Sequence, residues 1–202
     1  MKRLRRWLRL RRPTMGGLVR ATAVLTLAFA VMASQAVAYY DTPGLNGIAS
    51  NLAGRKVTIR CLTVKEAVSD EVIQIWGASG YVEGISNPVT GDWFPNNYAT
   101  LAPKICKGLI ALSKGHAQGY TVDELVWSTI TLTHEAGHLR GDWWSSNEAR
   151  TQCWAMKHLR STWNQLGYRD PALQSFLMGW ALAQHRALPD EYLSVPCKLP
   201  VP

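Results

Sequence analysis

Residues 134–138 read His-Glu-Ala-Gly-His, and this spacing constrains the fold more than any other feature of the chain. On an α-helix, positions four apart lie ~40° from each other around the axis, so His134 and His138 can reach one metal ion from the same face. Glu135 lies one step round, beside the open coordination position, where a carboxylate can take a proton from a metal-bound water. The motif therefore predicts a helix through these residues and a catalytic zinc site on it.

The residues on either side favour a helix from Thr121 to Gly141. Thr121-Val122-Asp123-Glu124 has the pattern of a capping box, and Gly141 suits the position that follows a last helical residue. The segment 129–133 is β-branched and alternates in polarity, so its local propensity alone would allow a strand. We prefer the helix because its capping signals are present and because only a helix brings the two histidines together.

A catalytic zinc site usually has three protein ligands and a water, so a further ligand is expected downstream. Glu148 is the preferred candidate, because it falls in the first turn of the next predicted helix and a short loop over 141–145 can turn the chain back. Its alternative role is helix capping, since Ser145-Ser146-Asn147-Glu148 also fits a capping box. Asp142 is the second candidate ligand.

Glu135 follows nine uncharged residues and His134, on a helix that the pattern predicts to be buried. Burying an unpaired carboxylate costs several kcal/mol or shifts its pKa, and a nearby divalent cation would relieve that cost. A glycine in the middle of a helix, such as Gly137, lowers helix stability by about 1 kcal/mol relative to alanine. Close approach of a neighbouring strand or of substrate would explain why a glycine is found there. The alternative interpretation is a buried histidine–glutamate network without metal.

Residues 1–38 have the three successive regions of a secretory signal peptide. Eight Lys and Arg residues come first, an apolar run from Ala21 to Ala33 follows, and Ala36-Val37-Ala38 is a small-residue cleavage pattern. The apolar run is shorter than the about 20 residues that a membrane span needs. We expect cleavage after Ala38 and a secreted, extracellular domain over 39–202. The alternative is an uncleaved N-terminal segment that anchors the domain to a membrane, facing outside the cytoplasm.

The net charge of +8 belongs to this leader. Eight of the 22 Lys and Arg residues lie in 1–38 and none of the 14 Asp and Glu residues does, so 39–202 carries 14 residues of each sign. Binding to nucleic acid needs an excess of basic residues. The sequence therefore excludes nucleic acid as an expected partner, and it leaves a membrane as a partner only through an uncleaved leader.

All four cysteines, Cys61, Cys106, Cys153 and Cys197, lie beyond the leader. An even number in an exported protein favours two disulfides, and no C-x-x-C spacing indicates a zinc knuckle. Of the three possible pairings we prefer Cys61–Cys106 within the sheet-like half and Cys153–Cys197, which would tie the tail to a helix. Free buried thiols are the alternative.

The remaining pattern predicts a small sheet followed by three helices, which is an α+β fold. Strands are predicted at 56–62, 71–76, 80–83 and 97–101, after a turn-rich segment at 39–55. Pro103 favours the end of the last strand or an edge position for it. The three helices are predicted from 121 to 141, from 146 to 166 and from 170 to 187, and a short additional helix that begins near Lys104 is predicted to include 109–112 before them. Four tryptophans surround the motif and are expected to pack in the core rather than line a cleft: Trp127, Trp143, Trp144 and Trp154.

His134-Glu135-x-x-His138 followed by Glu148 resembles the zincin metallopeptidases of the gluzincin type, and in particular their small single-domain secreted members. The resemblance covers 134–148 strictly and extends loosely to an edge strand near 97–101. It implies a small, mostly antiparallel sheet packed on the HExxH helix, with an α-helical C-terminal half behind it. It also implies a Zn²⁺ ion and hydrolysis of peptide bonds in a peptide or protein substrate, with Glu135 as the general base.

The same residues also begin the metzincin signature, in which Gly141 follows His138 at the required spacing. That signature needs a metal ligand three residues after the glycine, and this chain has Trp144 there. The metzincin interpretation is therefore discounted.

Two positions depart from the gluzincin pattern. Many gluzincins have an Asp four residues after the ligand Glu, and here Gln152 would orient the first histidine without supplying a negative charge. The usual Tyr or His that stabilises the oxyanion cannot be assigned from spacing, and His185, Tyr168 and Tyr192 are the candidates. These departures keep a second hypothesis open, namely a secreted non-catalytic domain that holds zinc or serves a structural or binding role.

Overall fold

The computed structural model describes residues 40–75 and 78–199, so the predicted leader at 1–38 and its alternative as an anchor lie outside the described residues. Within the described residues, no helix is both long enough and apolar enough to cross a membrane.

These residues form an α+β fold whose C-terminal half is helical, as predicted. The strands are β1 (Tyr40–Asp41), β2 (Thr58–Cys61), β3 (Gly80–Tyr81), β4 (Gly84–Ser86), β5 (Trp93–Pro95) and β6 (Tyr98–Leu101). The helices are α1 (Pro43–Ala53), α2 (Val64–Ser69), α3 (Glu71–Ile75), α4 (Pro103–Ser113), α5 (Val122–Leu139), α6 (Glu148–Gln165), α7 (Pro171–Arg186) and α8 (Asp190–Leu193).

The strands make one four-stranded sheet, in the order β1-β2-β6-β3, and a separate hairpin of β4 and β5. The outer pairs of the larger sheet are antiparallel, whereas β2 and β6 run parallel with Thr58 opposite Tyr98. The sheet packs on α5 through β6 and β3. The prediction of a small, mostly antiparallel sheet on the motif helix is therefore confirmed, with one parallel pair at its centre.

The segment 71–76, predicted as a strand, is wrong, because Glu71–Ile75 forms α3. The side chain of Asp70 accepts a hydrogen bond from the backbone N–H of Ile73 (3.0 Å), and Gln74 donates to the carbonyl of Ala67 (2.8 Å). These local side-chain bonds hold a helical turn in a segment whose apolar residues also suit a strand. The polarity pattern alone did not distinguish a helix from a strand in this segment.

The strand β6 ends at Leu101, before Pro103, as one of the two alternatives predicted. The other alternative, an edge position, is wrong, because β6 lies in the middle of the sheet between β2 and β3. Pro103 is the first residue of α4, where the missing N–H has no helical partner to lose. The edge strand beside the motif helix is β3. The sequence missed this because a proline just after a strand is equally compatible with a helix that starts there.

The turn-rich interpretation of 39–55 is wrong as well, since Pro43–Ala53 is helix α1. Pro43 occupies its first turn, and Gly54 ends it with a left-handed backbone (φ 70°). The helix buries Leu45, Ile48 and Leu52 against the sheet and α5. Burial of this apolar face outweighs the low helix propensity of its two internal glycines.

Helix α5 is the central element of the fold. The predicted capping box is present, with the Thr121 hydroxyl accepting from the N–H of Glu124 (3.2 Å) and the Glu124 carboxylate accepting from the N–H of Thr121 (2.9 Å). Residues 128–139 are all buried. Thr133 donates to the carbonyl of Thr129 (2.7 Å), so its hydroxyl is satisfied within the helix. This explains how a β-branched segment is kept helical inside the protein.

Helix α6 packs closely against α5 at Gly137. A Cβ at this position would lie 2.9 Å from the Cγ2 of Thr151 and 3.0 Å from a ring carbon of Trp154. The close approach expected from the glycine is therefore present, but the neighbour is a helix rather than a strand. The two helices that carry the predicted ligands are brought together by this contact.

Both predicted disulfides are present. Cys61–Cys106 joins β2 to α4, and Cys153–Cys197 joins α6 to the segment after α8. The bridged residues are 45 and 44 positions apart. In the chain-entropy model, a loop of this length destabilises the unfolded chain by about 4 kcal/mol for each bridge.

Replacing Gly137 and Gly179 by alanine should have opposite effects on stability. Both residues are helical, but a Cβ at Gly179 would meet nothing within 4 Å. We expect Gly179→Ala to raise the free energy of unfolding by about 0.5–1 kcal/mol through helix propensity. Gly137→Ala should lower it by about 1–2 kcal/mol, because overpacking against Thr151 outweighs the same gain. Urea unfolding of the two variants measures both values, and a stabilised Gly137→Ala protein would contradict this packing.

Candidate metal centre

Three predicted ligand residues, His134, His138 and Glu148, converge on one point. One ligand atom from each lies within 4.8 Å of the other two. The Nε2 atoms of the histidines are 2.9 Å apart, and those of His134 and His138 lie 3.0 and 3.5 Å from the two carboxylate oxygens of Glu148. Both histidines are buried, and the carboxylate is partly exposed toward a cleft. The group could hold a metal ion.

Helix geometry and one short loop produce this convergence. His134 and His138 are one turn apart on α5, and Gly141 lets the chain leave the helix with a left-handed backbone (φ 71°). Glu148 is then the first residue of α6, whose N-cap is Asn147 accepting from the N–H of Arg150 (2.9 Å). The alternative capping role of Glu148 is therefore wrong, because Asn147 supplies the cap and leaves the glutamate free to face the histidines.

Asp142, the second candidate ligand, is not part of the group. Its carboxylate accepts a hydrogen bond from the Nε of Arg140 at 2.7 Å. The two residues follow Leu139, the last residue of α5.

The hydrogen bonds of the histidines determine which ring nitrogens are free. The Nδ1–H of His134 donates to the amide oxygen of Gln152 at 2.9 Å, and the Nδ1–H of His138 donates to the carbonyl of Ser145. Because both acceptors lack a proton, a neutral ring on either residue must carry its only hydrogen on Nδ1. The Nε2 lone pairs of both rings then point toward each other and toward a carboxylate.

Such a concentration of acceptors favours a positive charge at its centre. Burial alone would raise the pKa of Glu148, but its hydrogen bonds with His134 and His138 outweigh burial and hold that pKa well below the usual range. Burial alone would lower the pKa of His138, yet Glu148 and Glu135 raise it. Both shifts share one cause, which is the attraction between a protonated imidazole and the carboxylate. A proton or a metal cation can supply the missing charge.

Glu135 lies beside this group and is buried. Its Oε2 has no hydrogen-bond partner among the described residues, and burial raises the pKa of its carboxyl group. A buried carboxylate oxygen without a partner is costly unless a cation or a water lies next to it. The donor set of two imidazoles and a carboxylate, with this unpartnered oxygen alongside, fits a divalent ion that keeps an open position.

Gly80 in β3 makes room for Glu135. A Cβ at this position would lie 3.1 Å from the Cγ of Glu135 and 2.6 Å from the Cδ2 of Leu101. The edge strand and the motif helix can approach this closely only because the residue between them has no side chain. Sequence reasoning did not assign this role, although a glycine within a strand pattern is a signal of close backbone approach.

A cleft of about 750 Å³ is lined by His134, His138 and Glu148, the three residues that we call the metal group. One wall is the sheet edge at 78–82, and another is the tail segment that contains Leu188, Pro189 and Tyr192. Two tryptophans, Trp93 of β5 and Trp127 of α5, also line it. The indole N–H of Trp127 donates to the hydroxyl of Ser79 at 2.9 Å, which ties α5 to the sheet edge.

The four tryptophans near the motif have different environments. Trp127 lines the cleft while it also contacts the core, so the expectation of core packing alone is too narrow for it. Trp154 packs against the core as expected, and its ring lies 6.1 Å from that of Trp144. The prediction of core packing is wrong for Trp143, which is 80 % exposed, with the guanidinium of Arg150 above its ring. Trp93 lines the cleft, and no sequence signal indicated it.

Three of the four residues predicted to support the site lie near His134 or line the cleft, and the fourth does not. Gln152 contacts His134 as described, and His185 is buried behind it, with its Nδ1 3.4 Å from the amide nitrogen of Gln152. Tyr192 lines the cleft, with its ring centroid 5.9 Å from that of His134. The structure does not bring Tyr168 to the cleft, because its hydroxyl donates to the carbonyl of Leu112 (3.0 Å) on the other side of α5.

Comparisons of the chain with protein-family models, with curated proteins and with solved structures gave no match. The resemblance to gluzincins therefore stays a prediction from residues 134–148.

Metal binding should depend on Glu148 and not on Asp142. Both changes, Glu148→Gln and Asp142→Asn, replace a carboxylate by an amide of the same size in the segment that follows α5. Glu148→Gln should weaken zinc binding by at least about 100-fold, since it removes the charged ligand. Asp142→Asn should leave it within about twofold, because only an exposed ion pair is lost. Metal analysis and chelator competition measure both, and the reverse order would contradict the ligand assignment.

Proposed function

We propose that this chain is a secreted, zinc-dependent metallopeptidase in which His134, His138 and Glu148 hold the metal and Glu135 acts as general base. The observation that carries the proposal is the convergence of two Nε2 lone pairs and one carboxylate beside a buried, unpartnered carboxylate oxygen. A structural zinc site is closed by four protein ligands, whereas a catalytic site has three and keeps one position open. Three ligands facing a cleft are what a hydrolytic site needs.

Zinc is the metal we propose because the ligands are imidazole and carboxylate and because one position is open. Cobalt or manganese could substitute at such a site. When bound, the ion would supply an acidified water and polarise the carbonyl of the scissile bond.

Glu135 would move the protons of the reaction. Its carboxylate takes one proton from the water, whose oxygen adds to the carbonyl carbon, and then delivers that proton to the leaving amine as the C–N bond breaks. Burial raises the pKa of this carboxyl group, so it is a stronger base than an exposed glutamate. The unpartnered Oε2 is the atom that can accept the proton without breaking another hydrogen bond.

The edge strand β3 offers a way to hold an extended peptide. It forms one edge of the sheet and its residues line the cleft directly beside Glu135. A peptide that adds to this edge as another strand would pass its backbone across the metal group. Backbone pairing recognises a peptide chain as such, and the aromatic and apolar walls would then select its side chains.

Tyr192 is the residue we propose as donor to the oxyanion. It lines the cleft above His134, and burial, followed by the charges of Glu148, Glu191 and Glu135, raises the pKa of its hydroxyl to about 12. The hydroxyl therefore keeps its proton across the physiological range and can donate a hydrogen bond. A positioned donor of this kind stabilises the charge that develops on the carbonyl oxygen.

Secretion is part of the proposal. The two disulfides are typical of extracellular proteins, because cytosolic thiols are kept reduced. The basic, apolar and small-residue regions at 1–38 would direct the export.

A second candidate function is a secreted domain that holds zinc without turnover. The observation in its favour is Gln152, which orients His134 through a neutral amide where a carboxylate would make the ligand more basic. The two candidates differ in the role of Glu135, since a domain that only holds metal has no use for an additional buried carboxylate beside it.

Glu135→Gln separates the two candidates. The amide has the same shape but cannot accept the proton, so hydrolysis of casein or of a quenched-peptide panel should fall by at least about 100-fold. Zinc content should stay at about one ion per chain, because Glu135 is not a ligand. Equal activity of the wild type and the variant on every substrate would contradict the peptidase and support the zinc-holding domain.

Tyr192→Phe tests the proposed oxyanion donor. The variant removes one hydroxyl group at the cleft wall, so kcat should fall by about 10–1,000-fold, with KM and zinc affinity nearly unchanged. Tyr168→Phe is the matched control, since its hydroxyl bonds to the backbone away from the cleft. A loss of activity in the control and none in Tyr192→Phe would refute the assignment.

A further inference from the structure

Three buried side chains form a chain of hydrogen bonds behind the metal group. The Nδ1–H of His134 donates to the Oε1 of Gln152 at 2.9 Å, and the Nε2–H of Gln152 points to the Nδ1 of His185 at 3.4 Å. The exposed fractions of the three residues are 7 %, 2 % and 6 %. Helix α7 contributes His185, which does not line the cleft.

An amide in the place of a carboxylate creates a problem of orientation. A carboxylate accepts hydrogen bonds through both oxygens, but an amide accepts at one end and donates at the other. If the amide of Gln152 were reversed, its N–H would face the Nδ1 of His134. That nitrogen would then have to accept, and the ring hydrogen would move to Nε2, which is the atom that must coordinate a metal.

His185 removes this ambiguity in the tautomer that carries its ring hydrogen on Nε2. Its Nδ1 lone pair then accepts the N–H of Gln152 and leaves the amide oxygen to face His134. Reversal would place the amide oxygen against that lone pair, two acceptors in contact in a buried environment. Burial, together with the charge of Arg186, lowers the pKa of His185, so the ring stays neutral and able to accept.

We propose that His185 is a positioning residue, which fixes the amide of Gln152 and thereby keeps the Nε2 lone pair of His134 available for a metal. The proposal rests on the metal-binding part of the proposed function and is independent of peptidase activity. It also explains why position 152 is a glutamine, because a neutral amide can accept a hydrogen bond from one histidine and donate one to another histidine on a different helix.

A double-mutant cycle on zinc affinity tests this role in the full protein. The four proteins are the wild type, His185→Phe, Gln152→Glu and the double variant, and chelator competition gives the dissociation constant for zinc of each. In the wild-type background, His185→Phe should weaken zinc binding by about tenfold, the lower end of the range for residues that support metal ligands. In the Gln152→Glu background it should have no effect, because a carboxylate has no wrong orientation to prevent.

Two further measurements separate positioning from general packing. His185→Asn retains an acceptor near the position of Nδ1, so its zinc affinity should stay within about threefold of the wild type. In the zinc-loaded protein, the Nδ1–H proton of His134 should give a downfield NMR signal in the wild type and in His185→Asn. The same signal should move upfield or broaden by exchange in His185→Phe, where the hydrogen bond to Gln152 is lost.

The outcomes are distinct. Equal weakening of zinc binding by His185→Phe in both backgrounds, with His185→Asn no better, means a packing role and overturns the proposal. A wild-type protein that takes up no zinc overturns both this proposal and the metal-binding part of the proposed function. Coupling in the cycle together with a Glu135→Gln variant as active as the wild type leaves the positioning role established and refutes only the peptidase.

Discussion

The structure depends on one electrostatic constraint, which is that three electron-rich atoms meet within a few ångströms inside the protein. Hydrogen bonds on the far side of each imidazole direct the Nε2 lone pairs of His134 and His138 toward the carboxylate of Glu148. Without a positive charge between them, this arrangement is repulsive. The packing of α6 on α5, the glycine at their contact and the buried supporting side chains all hold the three atoms against that repulsion. A fold that only needed a core would gain nothing from such an arrangement.

The motif helix could be predicted from the sequence, because its capping box, its stop and its histidine spacing agree with one another and involve only local geometry. Glu148 was found for the same reason, since a ligand nine residues beyond a helix needs only a short turn. The disulfide pairing followed from placing the cysteines on the two halves of the domain. The errors at 43–53 and 71–75 have the opposite cause, because weak local propensities there are decided by tertiary burial and by side-chain bonds to the backbone.

The part of the site that the sequence did not predict is contributed by residues distant from the motif. Gly80 and Trp93 lie about 40–55 positions before it, and Leu188 and Pro189 lie well beyond it. No periodicity relates such positions, since the topology of the sheet and the path of the tail bring them together. The position of β3 at the sheet edge follows from the parallel pairing of β2 with β6, which polarity patterns do not encode.

The Cys153–Cys197 bridge adds a covalent link between two parts of the site, helix α6 and the tail segment, which also contact each other through α8. Cys153 directly follows Gln152 on α6. Cys197 lies a few residues beyond Tyr192, in the tail segment that forms one wall of the cleft. Reduction would leave the histidines and the glutamate on their helices but would release that wall from its covalent anchor. Under the proposed function, the oxidised bridge would therefore affect the shape that the cleft presents to a peptide more than the capture of an ion, and a reduced chain would bind metal yet select its substrates poorly.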